Sequence, residues 1–383
     1  MLSYMKKEPV LIIAGILAVV SAFFVPPDRT YITYIDFRTL GILFSLMVVM
    51  AGFETMGIFR IFAVQILQIV RNRRQLLLVL TLLCFFSSML ITNDVALITF
   101  VPLTLVVLQM LGKSYKEKWM IPIVAMQTVA ANLGSMLTPI GNPQNLYLYG
   151  QAGIGVKEFL LLMLPYTAVS FFMIALWCMV KGRKTSGQAS RIQLHSLQEQ
   201  CIAVEKNGRK PKLIIYAFLM LLCLLSVANL LPYGILCGIV ILAAVFTDRK
   251  ILAHIDYSLL LTFVVLFIFI GNMGRIEFFS SYLNNVLEGH EVIAAVLASQ
   301  VMSNVPAALL LSGFSPCYKS LIIGTDLGGL GTLIASMASL ISFKYIARED
   351  SNSKGKYILY FSIINVIFLV VLLGVYMLNI MVI

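Results

Sequence analysis

Apolar residues in this chain run in long unbroken blocks rather than alternating with polar ones, and short polar joints separate the blocks. A block of about 20 apolar residues can cross a bilayer as a helix. Continuous runs favour such helices over a membrane β-barrel, whose strands alternate. Membrane helices are expected near 9–25, 38–56, 119–145, 158–180, 213–230, 232–247, 258–274, 320–343 and 357–381. Two further apolar stretches, 75–111 and 291–312, are each interrupted by a polar tip: Thr92-Asn93-Asp94-Val95-Ala96 and Ser303-Asn304-Val305-Pro306-Ala307. They predict re-entrant hairpins that enter and leave on one side, with a tip buried in protein or lining a cavity. Segments 58–70 and 276–287 are shorter and amphipathic, as expected of helices along the interface.

One polar, glycine-rich segment occurs twice. Asn132-Leu133-Gly134-Ser135-Met136-Leu137-Thr138-Pro139-Ile140-Gly141-Asn142-Pro143-Gln144-Asn145-Leu146 aligns without a gap with Asp326-Leu327-Gly328-Gly329-Leu330-Gly331-Thr332-Leu333-Ile334-Ala335-Ser336-Met337-Ala338-Ser339-Leu340, at an offset of 194. Each copy lies inside an apolar run, so each predicts a broken transmembrane helix, 119–145 and 320–343. Paired interrupted helices are the best sequence pointer to a transporter's binding site. The run from Val10 to Val25, preceded by Lys6 and Lys7, imitates a signal peptide. However, Asp28-Arg29 and Ile35-Asp36-Phe37 recur as Asp248-Arg249 and Ile255-Asp256-Tyr257 at an offset of 220, which makes that run part of the fold.

Composition agrees. With 60% apolar and 12% charged residues among 383, an ordinary soluble domain is excluded. The net charge of +11 sits in short loops between apolar blocks, which points to anionic headgroups and membrane lipid rather than nucleic acid. The six cysteines form no CxxC pair and the three histidines are scattered, so neither a disulfide framework nor a metal centre is expected. With the N-terminus inside and the C-terminus outside, 23 of the 28 Lys and Arg fall in cytoplasmic segments. The hydrophilic stretch 181–212 divides the chain. The expected domains are a first repeat over 1–180, a loop and connector helix over 181–230, and a second repeat over 231–383. An odd number of crossings separates the repeats, so the second is inverted. The predicted fold is an all-α polytopic membrane protein of two inverted repeats, each with a re-entrant hairpin and a broken helix.

At the tips, Thr92, Asn93, Ser303 and Asn304 offer hydroxyls, amides and free helix-end N–H groups suited to an anion. In the broken helices Gly134, Gly141, Gly328, Gly329 and Gly331 permit unwound backbone, and Pro139 and Pro143 leave carbonyls unpaired. Asn142, Asn145, Ser336, Ser339, Thr138 and Thr332 add neutral polar groups. The substrate-binding candidates are Thr92, Asn93, Asn142, Pro143, Ser303, Asn304 and Ser336. The coupling-ion candidates are Asp94, Asn132, Gly134, Thr138, Asp326, Gly328 and Thr332. The structural alternative is small residues serving helix packing, with a proline kink. Asp94 and Asp326 are the acidic residues at these depths, where an ionisable group is costly and functional by default. Each can bind Na⁺, carry a proton, or cap a helix. Glu54, near a helix end, is read as structural or interfacial.

These motifs together, from the Thr-Asn-Asp and Ser-Asn-Val tips to Gly141-Asn142-Pro143-Gln144-Asn145, resemble the ion transporter superfamily over nearly the whole chain. That group includes citrate transporter-like permeases, divalent-anion:sodium symporters, arsenite permeases and sodium/proton antiporters. In the dicarboxylate branch both tips read Ser-Asn-Thr and bind carboxylate and sodium. Here the Asn residues carry over and the third position departs. The Asn-Asp tip is closer to the arsenite permease and citrate transporter-like branches. The resemblance implies a mobile transport domain on a scaffold, a homodimer and an elevator mechanism.

The expected function is secondary active transport of a small inorganic or carboxylate anion across the cytoplasmic membrane, coupled to Na⁺ or H⁺. The alternative is a Na⁺/H⁺ antiporter using Asp94 and Asp326. No enzymatic activity and no cofactor beyond Na⁺ as coupling ion are expected. An intramembrane aspartyl protease would place Gly before its second aspartate, where this chain has Thr325. A passive receptor or scaffold has no use for duplicated polar interruptions.

Overall fold

The computed structural model describes residues 9–67, 70, 72–182 and 209–382. Lys6, Lys7, Arg71 and the stretch 183–208, which enter the charge count, lie outside the described residues. The described residues form α-helices and short 3-10 turns, with no β-strand. The first helices are α1 (Pro9–Phe24), α2 (Phe37–Thr55), α3 (Ile58–Leu67), α4 (Arg73–Ser87), α5 (Asn93–Met110), α6 (Lys113–Ser135), α7 (Pro143–Ala152) and α8 (Val156–Gly182). Next come α9 (Arg209–Val227), α10 (Tyr233–Thr247), α11 (Tyr257–Gly274), α12 (Glu277–Leu287) and α13 (Glu291–Met302). The last are α14 (Asn304–Ser312), α15 (Tyr318–Gly328), α16 (Met337–Glu349) and α17 (Lys354–Val382). Among the described residues, five stretches are long and apolar enough to cross a membrane: Phe37–Thr55, Asn93–Met110, Val156–Gly182, Tyr257–Gly274 and Ser351–Asn379.

The interruptions fall where the polar segments stand. The first run stops at Ser135 and resumes at Pro143; the second stops at Gly328 and resumes at Met337. Pro143 suits the first position of α7, where a missing N–H costs nothing. Gly331 in the second break has φ +113, a backbone region closed to most side chains. The stretch 75–111 divides into α4 and α5, and 291–312 into α13 and α14.

The chain forms two compact units, and each draws on both halves of the sequence. One comprises Met1–Gly52, Pro143–Gly155 and Ile215–Gly328. Within it α1 packs along α11, where Asn272 Nδ2 donates to Ser21 Oγ and to the Tyr31 hydroxyl, both at 2.9 Å. At the end of that pair Arg275 meets Asp28 at 2.8 Å. Hydrogen bonds from Thr30 and Arg275 hold the exposed Asp28 carboxyl below its usual 3.8. Helix α15 packs on α13 through Gly324 and Gly328. A Cβ there would lie 2.7 Å from Ala295 Cβ and 2.5 Å from Ser299 Oγ respectively, the close approach that small residues one turn apart allow. Helix α7 packs on both α14 and α15.

The other unit comprises Phe53–Asn142, Val156–Ile214 and Gly329–Ile383. Here α4, α5, α16 and α17 all pack on α6, and α16 also packs on α5. Buried polar side chains tie these helices together. Gln127 Nε2 donates to Leu80 O (3.0 Å) and Thr104 Oγ1 (2.8 Å), and Thr128 Oγ1 donates to Ser342 Oγ (2.7 Å). A Cβ on Gly134 would lie 2.0 Å from the Phe85 carbonyl oxygen. Each unit thus holds one helix pair, the first half of one broken helix and the second half of the other.

Because a backbone atom blocks the methyl, Gly134→Ala is expected to destabilise by about 1–3 kcal/mol, the usual cost of overpacking. Thermal unfolding of the purified protein measures this, with Gly15→Ala as control, since nothing lies within 4 Å of a Cβ there. Equal melting temperatures for both variants would contradict the packing role of Gly134.

Candidate functional site

In the unit built on α6, the site begins with the start of α5. Thr92 is extended (φ −61, ψ 153) and precedes Asn93, the first helical residue. Asn93 is buried, and its side chain works in two directions. Its Oδ1 accepts the Asp94 N–H at 2.9 Å, and its Nδ2 donates to Asn132 Oδ1 at 2.9 Å. Ser336 Oγ donates to the same Asn132 oxygen at 3.1 Å, and Asn132 Nδ2 reaches Gly329 O at 3.4 Å. One carboxamide in the last turn of α6 therefore joins the start of α5, the residue before α16 and the backbone of a helix break. The Asn93 N–H donates to Gly141 O at 3.3 Å. Thr138 Oγ1 donates to Met89 O at 2.5 Å, fixing the helix pair's turn to the other break.

The second unit repeats the plan with different chemistry. Helix α14 begins at Asn304, after Ser303 in a strained conformation (φ 74, ψ 154). Backbone strain in a non-glycine residue at a polar turn is itself a reason to suspect function. Ser303 Oγ approaches Asn304 Oδ1 at 3.5 Å, a long contact. Gln300 Nε2 donates to Gly328 O at 2.9 Å, so a side chain takes up a carbonyl at the end of α15. Asp326 is buried in the last turn of the same helix. Pro143, Gln144 and Asn145 form the buried first turn of α7, and Tyr147 ties that helix to α14 through a 2.9 Å hydroxyl contact with Ser312.

The structure thus brings Asn93, Asp94, Asn132 and Ser336 into one hydrogen-bonded cluster. It sets Pro143, Ser303, Asn304, Asp326 and Gly328 on three mutually packed helices, α7, α14 and α15. Asn142 is buried immediately before α7, and Thr332 is exposed in its break. Gly134 and Gly328 lie in the last turns of their helices, and close packing explains glycine there. At those two positions the packing alternative accounts for the residue, and the unwound backbone lies at 136–142 and 329–336. Gln300 and Gln127 were given no role by the sequence reading. The available signal was an amide inside an otherwise apolar helix.

Electrostatically, each constellation presents two helix N-termini and one helix C-terminus. The N-termini of α5, α7, α14 and α16 carry partial positive charge. No Lys or Arg occurs in 88–96, 132–146, 299–308 or 326–340. Among the described residues no cluster of three His, Cys, Asp or Glu side chains forms a metal centre. The arrangement offers neutral donors, helix dipoles and two carboxylates.

Fold and site define a polytopic helical membrane protein whose interrupted helices end in buried polar clusters. The family model described as citrate transporter matches residues 5–315. The chain is 31% identical over 344 residues to an uncharacterized transporter of Methanocaldococcus jannaschii, covering 89% of each. It is 30% identical over 334 residues to the inner membrane protein YbiR of Escherichia coli, covering 84% of each. A 46 kDa membrane protein of Mycobacterium leprae is 21% identical over 81% of this chain and 78% of its own. The chain belongs to the citrate transporter family, and it is a multi-pass membrane transporter.

Asn93 and Asn132 share a buried hydrogen bond, so their substitutions should not add. A double-mutant cycle with Asn93→Ala and Asn132→Ala is expected to give a coupling of about 0.5–3 kcal/mol. Strict additivity in the unfolding of the four proteins would show that the observed bond contributes nothing.

Proposed function

We propose that the protein is a secondary active transporter that moves a small inorganic or carboxylate anion across the cytoplasmic membrane, coupled to Na⁺ or H⁺. The observation that carries this reading is the pair of buried carboxamides, Asn93 and Asn304, each the first residue of a helix. A helix N-terminus inside a membrane protein is a ready anion site, and secondary transporters with interrupted helices use half-helix ends in this way. With no basic side chain in the four segments, the anion's charge falls to helix dipoles, amides and a co-bound cation. That last requirement favours Na⁺ as the coupling ion. In this reading Thr92, Asn142 and Ser336 are anion contacts within one unit, and Pro143 and Ser303 are anion contacts within the other. Within the first of these units a cation is assigned to Asp94, Asn132, Thr138, Thr332 and the helix-end carbonyls around Gly134, and within the other to Asp326 and the carbonyls around Gly328.

The duplicated segments support two inverted repeats. Asn132 and Asp326 both stand in the last turn before a break, and Asn142 and Ser336 both immediately precede a resumed helix. An elevator movement, a homodimer and an N-terminus inside belong to the same proposal and rest on the resemblance and the charge count. The second reading is a Na⁺/H⁺ antiporter with Asp94 and Asp326 as exchange sites. The buried Asp326, aligned with the neutral Asn132, is what favours it.

In proteoliposomes, labelled anion uptake is expected under an inward Na⁺ or proton gradient. Asn93→Ala and Asn304→Ala should each reduce uptake to background while eluting as folded protein. Na⁺ movement that ignores every anion offered would replace this reading with the antiporter. Asp326→Asn should change the Na⁺ or pH dependence more than the choice of anion. An unchanged coupling profile would leave Asp326 with only a structural role.

A further inference from the structure

The third residue of each resumed half-helix is polar, and in both units it is buried without a partner. In α7 that residue is Asn145, which is 0% exposed, with neither amide nitrogen nor amide oxygen hydrogen-bonded. In α16 it is Ser339, also 0% exposed, with no partner for its hydroxyl. The two positions correspond at the same offset of 194 that aligns the breaks. Beside Asn145, Gln144 is buried with an unpartnered Nε2. The buried carboxamides of Asn93 and Asn132, and the part-buried one of Gln300, by contrast all make hydrogen bonds. Buried polar groups are ordinarily satisfied, and one left open at both ends costs free energy that a ligand can recover.

We propose that Asn145 and Ser339, each in its own unit, are direct ligand contacts, and that Asn145 selects anions carrying an O–H group. This rests on the anion-transport reading above. The selection follows from the amide itself. Its nitrogen and Gln144 Nε2 donate, which suits the oxygens of an oxyanion at a helix N-terminus. Its oxygen accepts, and with no Lys or Arg in the segment the complement must bring its own donor. A hydroxy acid or a protonated oxyacid presents an acceptor oxygen and an O–H side by side. A fully deprotonated anion without a hydroxyl leaves Asn145 Oδ1 buried and unpaired. A site built to bond a substrate hydroxyl rejects the analogue that lacks it.

The test uses the full-length protein in Na⁺-containing and Na⁺-free buffer, with thermal stabilisation and uptake as readouts. The probes are matched pairs, malate against succinate and citrate against tricarballylate, together with hydrogenphosphate against sulfate. The hydroxyl-bearing member of at least one pair is expected to bind the wild type about tenfold or more tightly, the cost of leaving one buried acceptor unpaired. Asn145→Leu, which keeps the branched shape and replaces the orphaned amide with apolar groups, should melt no lower than wild type and lose both uptake and that preference. Ser339→Ala should weaken uptake with the same unchanged melting temperature. Uptake by Asn145→Leu with the preference intact, or a lower melting temperature with normal uptake, overturns the proposal and leaves anion transport standing. Equal binding of both members of every pair that binds overturns the selection. A wild type that neither binds nor transports any probe removes the anion-transport reading and this inference together.

Discussion

A backbone that stops being helical inside a membrane must find partners for the N–H and C=O groups it releases, because hydrocarbon supplies none. The polar contacts around the two breaks can be traced to that demand. The carbonyls at the ends and turns are met one by one: Met89 O by the Thr138 hydroxyl, Gly141 O by the Asn93 N–H, Gly328 O by the Gln300 amide and Gly329 O by the Asn132 amide. These are not local caps. Each joins two separate segments, from Gln300 and Gly328, 28 residues apart, to Asn132 and Gly329, 197 residues apart. The polar residues that make helix breaks tolerable are therefore the residues that hold each unit together.

That dual role explains why some buried polar groups of the candidate sites are fully hydrogen-bonded, while others are not. Asn132 is saturated at its oxygen by two donors, and it sets the start of α5 against the start of α16. The corresponding helix end in the other unit carries Asp326 instead. An amide with fixed donors and a carboxylate in matching places are chemically unequal, and a coupled transporter has use for that inequality. The first turn of α7, by contrast, keeps buried amide groups unspent. Structure is completed in one place and left incomplete in another.

Much of this was legible in the amino-acid sequence. Long apolar runs marked the helices, and the polar tips marked where α4 turns into α5 and α13 into α14. The duplicated segments marked both breaks, because glycines, prolines and amides have few uses inside an apolar run. Pairing was not legible. A constant offset aligns Asn132 with Asp326, yet Asn132 bonds Ser336, 204 residues away. The reason is physical: the second half of each broken helix packs with the first half of the other, and no linear alignment records such an exchange. The glycines misled for a related reason. Gly134 and Gly328 were read as permitting unwound backbone. They are glycines because Phe85 and Ser299 approach too closely for a side chain, a fact about neighbours rather than about φ and ψ.

The central claim is that the helix N-termini at the two hairpin turns and at the start of α7 receive the transported anion. Amide hydrogen–deuterium exchange measures those N–H groups directly. With the protein in lipid and a stabilising anion added, the account predicts slowed exchange in peptides spanning 141–149, 301–309 and 90–98, and little change along α1 or α10. Protection confined to other segments, with these three unchanged at saturating anion, would contradict it.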